Sequence, residues 1–268
     1  MKNIHAFAIN PLVLVAAGML SLPAVAVFAQ QNLIVNGSFE AGPAGSATFT
    51  DWFIGPADNN SNFGVANSNA PPDRAEQGTY YAYFHGHPTD GSQDCLGQSV
   101  NLTVGAQYTI TYYLGTDGST LGSGAAMWVV IGPSFGIDYT QDVLLTAYYP
   151  NSASALPYQK FTTTITATNA NPILSFHAVD ANSAILLDNV SITYVAPPPP
   201  QLNFGLASTD KVVMSWTSPT NAFLLQTNTS LLTTNWVTLT NQPAVLGVTN
   251  QITLPRPATN VFYRLLLP

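Results

Sequence analysis

Two histidines and two aspartates lie close together in the first half of the chain and could bind a transition metal. His85 and His87 are one residue apart, and Asp90 and Asp94 follow them. Alternate residues of a strand point to the same side, so both imidazoles could reach one ion. A turn rich in polar residues explains the same run. The spacing is short and not specific for a metal, and we expect the turn.

Residues for hydrolytic chemistry are scarce. Glu40 and Glu76 are the only glutamates, so a glycosidase pair of carboxyls would have to include aspartates that no motif marks. His177 or His85 could serve a Ser-His-Asp triad, but the sequence alone pairs neither of them with a serine and an aspartate. Walker and dinucleotide glycine patterns are absent. The sequence therefore predicts a protein that is not an enzyme.

The elements that position these residues are predicted to be short antiparallel strands. Charged residues make up 7% of the chain, and the helix-favouring residues Glu and Lys are rare. In residues 107–114, apolar and polar side chains alternate, which is typical of a half-buried strand. The long polar segment 55–77 reads as a functional or disordered loop. The predicted strands are 33–35, 80–84, 97–102, 107–114, 126–131, 159–167, 172–178, 185–195, 201–207, 211–217, 223–227, 236–240, 251–254 and 261–267.

Residues 1–29 have the anatomy of a secretory signal peptide. Lys2 precedes an apolar run over 11–20, and small residues follow near Ala29. We expect the mature chain to begin near Gln30, with Ala26 as an alternative cleavage point. The run is too short to span a membrane, so we expect no membrane insertion. Cys95 is the only cysteine, and we expect a buried structural thiol rather than an intermolecular bridge.

Four consecutive prolines, residues 197–200, predict a linker between a domain over 30–196 and a smaller one over 201–268. The first domain has twelve acidic residues against two basic ones, a net charge of −10, whereas the second has a net charge of +2. Nucleic acids and anionic membranes require clustered Lys and Arg. The charge balance therefore argues against nucleic acid and anionic membranes as partners, and it leaves cations and neutral ligands open.

The first domain resembles the jelly-roll carbohydrate-binding modules of families 4, 9 and 22, which share a galactose-binding-like sandwich. The matching motifs are Asn32–Glu40 followed by Trp52, Gln77–Phe84, Gly97–Val100 with Gly105–Tyr108, and Ile185–Ile192. The resemblance implies an antiparallel jelly-roll β-sandwich. It specifies the ligand poorly, because similar domains occur in glycoside hydrolases and in many bacterial surface proteins.

The second domain is similar to a small C-terminal module of large exported proteins from environmental bacteria. The matching stretches are Val212–Trp216, Thr233–Trp236 and Val261–Arg264. This resemblance implies a small fibronectin-like β-sandwich, whose role in those proteins is mostly structural or unassigned.

A structural calcium ion is implied by the resemblance to the carbohydrate-binding modules. In that family the ion joins the first and last strands through a glutamate after the N-G-x-F motif and the aspartate of D-N-V, which are Glu40 and Asp188 here. Calcium takes about six to eight oxygens, so backbone carbonyls and a third group such as Glu76 would have to contribute. The alternative is that Glu40 and Asp188 are turn carboxylates at strand ends.

Sugar binding in such modules depends on exposed aromatic faces. Strand alternation predicts that Tyr81, Tyr83 and Tyr113 point outward, whereas it leaves the face of Trp128 undecided. Ordinary packing between strands is the alternative for each of them. Trp52 and Trp216 have apolar neighbours and are predicted to lie in the cores.

These observations predict a secreted or extracellular protein, either free or attached to the cell surface, that binds a neutral polysaccharide or cell-surface glycan through a calcium-stabilised jelly roll. The alternative is a structural or adhesive surface protein with no sugar site.

Overall fold

The computed structural model describes residues 7–8, 31–46, 49–55, 63–67, 69–70, 73–85, 93–117, 125–135, 137–138, 140–150, 157–179, 184–196, 200–217 and 223–266. The chain divides into two compact units, Ala29–Ala196 and a second that combines Pro197–Pro268 with Met1–Phe28. The predicted signal peptide lies outside the described residues apart from Phe7–Ala8, so its cleavage stays a prediction.

Short antiparallel strands dominate both units. In chain order they are β1 (Phe7–Ala8), β2 (Gly45–Ser46), β3 (Phe53–Ile54), β4 (Phe63–Ala66), β5 (Asn69–Ala70), β6 (Asp73–Arg74), β7 (Tyr81–Phe84), β8 (Asp94–Ser99), β9 (Gln107–Thr116), β10 (Ala126–Gly132), β11 (Val143–Tyr148), β12 (Gln159–Thr166), β13 (Ile173–Val179), β14 (Ile185–Val195), β15 (Asn203–Ser208), β16 (Lys211–Thr217), β17 (Leu224–Asn228), β18 (Val237–Thr238), β19 (Ala244–Leu246), β20 (Thr249–Pro255) and β21 (Phe262–Leu266).

The first unit is a sandwich of two antiparallel sheets. A five-stranded sheet has the order β11-β10-β13-β8-β3, and a six-stranded sheet has the order β12-β9-β14-β7-β4-β2. Consecutive strands often lie in different sheets, as expected for a jelly roll. The described residues contain no helix, and the prediction of an all-β sandwich is confirmed.

The core of this sandwich is built by alternate residues of each strand. On β9 the inward side chains are Tyr108, Ile110, Tyr112 and Leu114, all buried. Trp52 is also buried, as predicted, and its ring stacks on Phe39 at 5.6 Å between centroids. Because the inner faces are continuous and apolar, each strand is left with an outer set of side chains that is available for function.

The second unit has a separate core around Trp216, which is buried as predicted. Its two sheets have the orders β15-β16-β20-β19 and β1-β21-β17-β18. The guanidinium of Arg264 lies 4.3 Å above the ring of Trp236, and its Nε donates to Gln226 Oε1 at 2.9 Å. Two of the stretches that resemble the exported bacterial module are therefore in direct contact.

One predicted strand is wrong. Residues 33–35 form no strand, because the chain turns immediately, with positive φ at Asn36 (50°) and Phe39 (58°). The backbone bond from Leu33 N to Ile192 O at 2.8 Å, together with bonds between the Asn32 side chain and both Val190 O and Ile192 N, holds this segment beside β14. Within the described residues, no helix is long and apolar enough to cross a membrane.

Candidate functional site

The outer face of the five-stranded sheet carries an unusual set of aromatic and polar side chains. On β13, Leu174, Phe176 and Ala178 point into the core, which leaves Ser175 and His177 on the outer side. The antiparallel register places His177 opposite Trp128 on β10 and opposite Cys95 on β8. With the aromatic residues Phe53, Phe135 and Tyr149, these residues form what we call the aromatic face.

Trp128 and Tyr149 form the exposed corner of the aromatic face. Their rings are 6.3 Å apart and nearly perpendicular, at 87°, and Trp128 Nε1 donates to the Tyr149 hydroxyl at 3.3 Å. Tyr149 is 61% exposed, and Trp128 is half-buried. The hydrogen bond holds two flat apolar surfaces in one orientation, with polar edges beside them. Such a corner can stack on the C–H face of a sugar ring while polar atoms contact its hydroxyls.

His177 is buried at the centre of the aromatic face. Its Nε2 lies 2.9 Å from Ser175 Oγ, and its Nδ1 lies 3.1 Å from Cys95 Sγ. Only 2% of the side chain is exposed, and this burial lowers the pKa of His177 to about 4. The imidazole is therefore neutral at pH 7 and is a hydrogen-bonding centre between two strands. Ser175 is also fully buried, so its hydroxyl does not reach solvent.

The lowered pKa of His177 predicts that this residue destabilises the folded chain in acid. The unfolded chain takes up a proton near pH 6.5, whereas the folded chain resists protonation until about pH 4. The contribution of His177 to the free energy of unfolding should therefore fall as the pH drops from 6.5 towards 4, by up to about 3 kcal/mol, whereas the raised pKa of Asp188 acts in the opposite direction in both proteins compared below. Urea unfolding at pH 7, 5.5 and 4.5 measures it, with His177→Gln as the control. If the free energy of unfolding changes with pH in the same way in native protein and in His177→Gln, the lowered pKa of His177 is contradicted.

The predicted sugar-binding residues lie on two different sheets. Tyr81, Tyr83 and Tyr113 belong to the six-stranded sheet, whereas Trp128 belongs to the five-stranded one. The exposure predicted for Tyr81 is wrong. Its ring lies outside the main core, but it belongs to a small outer cluster with Ala184 and Leu186 and is only 3% exposed. Tyr83 and Tyr113 are half-buried. The structure therefore does not bring the four aromatic residues together.

The outer face of the six-stranded sheet is mainly a ladder of hydroxyls. The Oγ1 atoms of Thr109 and Thr164 are 3.3 Å apart, as are those of Thr111 and Thr162. At the end of this ladder, Lys160 Nζ lies 5.9 Å from the centre of the Tyr113 ring. The ammonium group beside that ring makes Tyr113 a less open stacking surface than Tyr149.

Glu40 and Asp188 both hold the segment 76–80 through its backbone. Glu40 Oε1 accepts the N–H groups of Thr79 and Tyr80, each at 2.7 Å. Asp188 Oδ2 accepts those of Glu76 and Gln77 at 2.8 and 2.9 Å. Asp188 is fully buried, and burial, with a smaller contribution from the charge of Glu76, raises its pKa to about 7 against the opposing effect of the N–H donors.

The residue types in this cluster fit calcium, whereas their present contacts do not complete a shell. Carboxylates are hard oxygen ligands, and no basic side chain contacts Asp188 in the described part of the chain. Glu76 points elsewhere, since its Oε2 accepts Asn189 Nδ2 at 3.0 Å. No group of three or more Asp, Glu, His or Cys side chains among the described residues is arranged to hold a metal ion. Backbone carbonyls would have to supply the remaining oxygens.

The histidine run is divided by the structure. His85 is exposed and its ring lies edge-on to Tyr83 at 5.5 Å, whereas Asp94 is fully buried. His87 and Asp90 lie outside the described residues. The transition-metal reading of this run therefore stays untested.

Residues 132–136 read Gly-Pro-Ser-Phe-Gly, which matches the G-x-S-x-G pattern of hydrolases. In those enzymes the serine sits on a turn between a strand and a helix. Here β10 ends at Gly132 and a bend follows over residues 133–135. The ring nitrogens of His177 contact Ser175 and Cys95 rather than Ser134. The strand and helix context of a nucleophile elbow is therefore not formed by the described residues.

No protein-family profile matches the sequence, and no curated protein matches it. The chain is, however, similar in structure to carbohydrate-binding modules. A family 16 module is 21% identical with a TM-score of 0.41, and the match covers 60% of this chain and 99% of that one. A family 61 module solved with β-1,4-galactotriose is 17% identical, with a TM-score of 0.39 and coverages of 62% and 99%. The enzymatically active domain of tailspike protein 4 from bacteriophage CBA120 is 13% identical, with a TM-score of 0.42 and coverages of 61% and 21%. At these identities, the likeness concerns the arrangement of strands.

Proposed function

We propose that this chain is a secreted, non-catalytic protein that binds neutral glycans at the aromatic face. The observation that carries the proposal is the corner formed by Trp128 and Tyr149, where two hydrogen-bonded rings stand at 87° on a sheet surface and one is largely exposed. Aromatic rings with polar edges offer a flat apolar surface to a ligand, and an exposed apolar patch rimmed by polar groups marks an interaction site. The low number of basic residues favours an uncharged ligand over an anionic one.

An array of neutral glycans probed with the whole mature chain tests this proposal. We expect binding to at least one class of neutral polysaccharide, with little dependence on ionic strength because no charged pair is involved. A control array with Tyr113→Ala, which changes the opposite sheet, should give the same pattern. If the native protein binds nothing on the array, the proposal is wrong.

A structural or adhesive role is the second candidate. It is favoured by the threonine ladder of the six-stranded sheet, where Thr109, Thr111, Thr162 and Thr164 form a flat, polar, weakly charged surface. The ladder itself offers hydroxyls rather than rings, which suits contact with another protein or a cell-wall layer. A silent glycan array together with retention of the protein on the cell surface would support this role.

Calcium binding at Glu40 and Asp188 is part of the proposal. What supports it is that two carboxylates hold one segment and that the buried Asp188 has no basic contact within the described residues. The ion would relieve the cost of a buried negative charge and would bind the folded chain alone, which raises its melting temperature.

Removal of calcium is therefore expected to lower the melting temperature. At a calcium concentration one hundred times the dissociation constant, the ion would contribute about 2.7 kcal/mol. Thermal melts in EDTA and in millimolar calcium measure it. Glu40→Gln is the matched variant, because its amide oxygen can still accept the N–H groups of Thr79 and Tyr80 while the charge is lost. An identical melting temperature with and without calcium would contradict the proposal.

A further inference from the structure

The ring of Phe135 lies against the backbone on the aromatic face. A Cβ atom on Gly97 would lie 2.5 and 2.8 Å from atoms of its ring, and one on Gly55 would lie 2.9 Å from it. Contacts this short do not occur in proteins, so both positions require glycine for the ring to lie against the backbone of β8 and of the segment after β3. Phe53 packs against the ring edge-on, at 4.9 Å between centroids.

The residues under this ring are the polar centre of the face. The centre of the Phe135 ring is 5.9 Å from that of His177, and the Gly55 backbone beside the ring also lies against Cβ of Cys95. His177 points outward from the sheet and is nevertheless almost completely buried. Phe135, itself half-buried, therefore covers His177 between β8 and β13 and separates the exposed ring of Phe53 from those of Trp128 and Tyr149.

We infer that Phe135 determines specificity by limiting the ligand to a chain end or a short side branch of a glycan. This inference rests on the proposed function. A chain lying across five strands, spaced about 4.8 Å apart, would need several ring surfaces in one plane. Here the second ring is perpendicular to the first, and the Phe135 ring stands on β8, two strands from Trp128, in the path of a chain that would continue across the sheet. One terminal sugar can stack on one ring and contact the other with its edge.

The inference that Phe135 covers part of the aromatic face can be tested without any sugar. The measurement is the reactivity of the thiol of Cys95, the only cysteine. Cys95 is half-buried rather than buried as predicted, so in native protein its thiol should react with Ellman's reagent slowly but measurably, and Phe135→Ala should accelerate the reaction at least tenfold. Phe135→Leu, which keeps most of the volume, should remain slow, and Tyr149→Ala serves as the control outside the cover. Unfolding curves establish that each variant is folded. Equal rates in native protein and in folded Phe135→Ala would overturn the inference.

The ligand class is tested with neutral β-1,4-linked oligosaccharides of glucose, galactose and xylose from two to six units, by calorimetry. Native protein should gain less than threefold in affinity beyond two units, whereas Phe135→Ala should continue to gain with length. A steady rise in affinity up to six units in native protein would overturn the inference. If native protein binds no oligosaccharide, the proposed function and the ligand class both fail, and the Cys95 rates still decide whether Phe135 covers the face.

Discussion

Phe176→Ala is expected to lower the free energy of unfolding of the first unit by about 3–5 kcal/mol. Phe176 is fully buried between the two sheets, with its ring 6.2 Å from that of Trp52 and 5.5 Å from that of Tyr112. Truncation removes the transfer free energy of the ring and leaves a cavity lined by large aromatic groups that cannot collapse into it. Because a domain is stable by only about 5–15 kcal/mol, the variant would be marginally folded.

Urea unfolding monitored by tryptophan fluorescence measures this loss. Phe53→Ala is the matched control, since Phe53 is 38% exposed and lies outside the core. Its main aromatic contact is the edge-on one with Phe135, so it should cost about 1 kcal/mol. Equal losses for the two variants would show that Phe176 does not tie the sheets together as the packing indicates.

The sequence predicts the long central strands well, for a physical reason. In β14 the prediction of 185–195 coincides with Ile185–Val195, and in β16 the prediction of 211–217 coincides with Lys211–Thr217. Buried and partly exposed residues alternate along β16 and along β14 from Asp188 onward, so the alternation of side chains reports the structure directly, whereas residues 185–187 are buried on both faces. A strand of this kind needs no knowledge of its neighbours to be recognised.

Strands with a weaker pattern are missed. Val143–Tyr148 is an edge strand whose residues are exposed or half-buried, so no alternation marks it. Phe63–Ala66 lies within the segment that reads as a loop, although Phe63, Gly64 and Val65 are buried in the sandwich. The turn at residues 36–39 follows from positive φ values that apolar composition does not encode. In each case tertiary contacts decide the structure.

In the candidate site, too, neighbouring residues in the sequence indicate the direction of a side chain, whereas its burial and contacts depend on residues far away in the sequence. Alternation correctly gives the direction of Tyr81, whereas its burial depends on Leu186 and Ala184, which are about a hundred residues away. The contact between Cys95 and His177 depends on the pairing of β8 with β13. Phe135 lies in a short polar segment with no strand pattern, and only the glycines at positions 55 and 97 hint at a ring packed on the backbone.

Trp128→Ala is expected to reduce the affinity for the glycan identified on the array at least thirtyfold. Aromatic residues at the centre of a binding site commonly contribute 2 kcal/mol or more, which corresponds to about that factor. Trp128 stands on β10, one strand from the edge, and its indole also fixes Tyr149 through the 3.3 Å hydrogen bond. Its removal therefore eliminates one stacking surface and releases the other.

Calorimetric titration of native protein and three variants measures this effect. Trp128→Phe keeps a ring but loses the Nε1 donor to Tyr149, so its affinity should lie between those of native protein and Trp128→Ala. Tyr113→Ala removes a comparably half-buried ring from the opposite sheet and should bind as native protein does. If Tyr113→Ala loses affinity while folded Trp128→Ala does not, the ligand binds the six-stranded sheet, and the aromatic face is not the binding site.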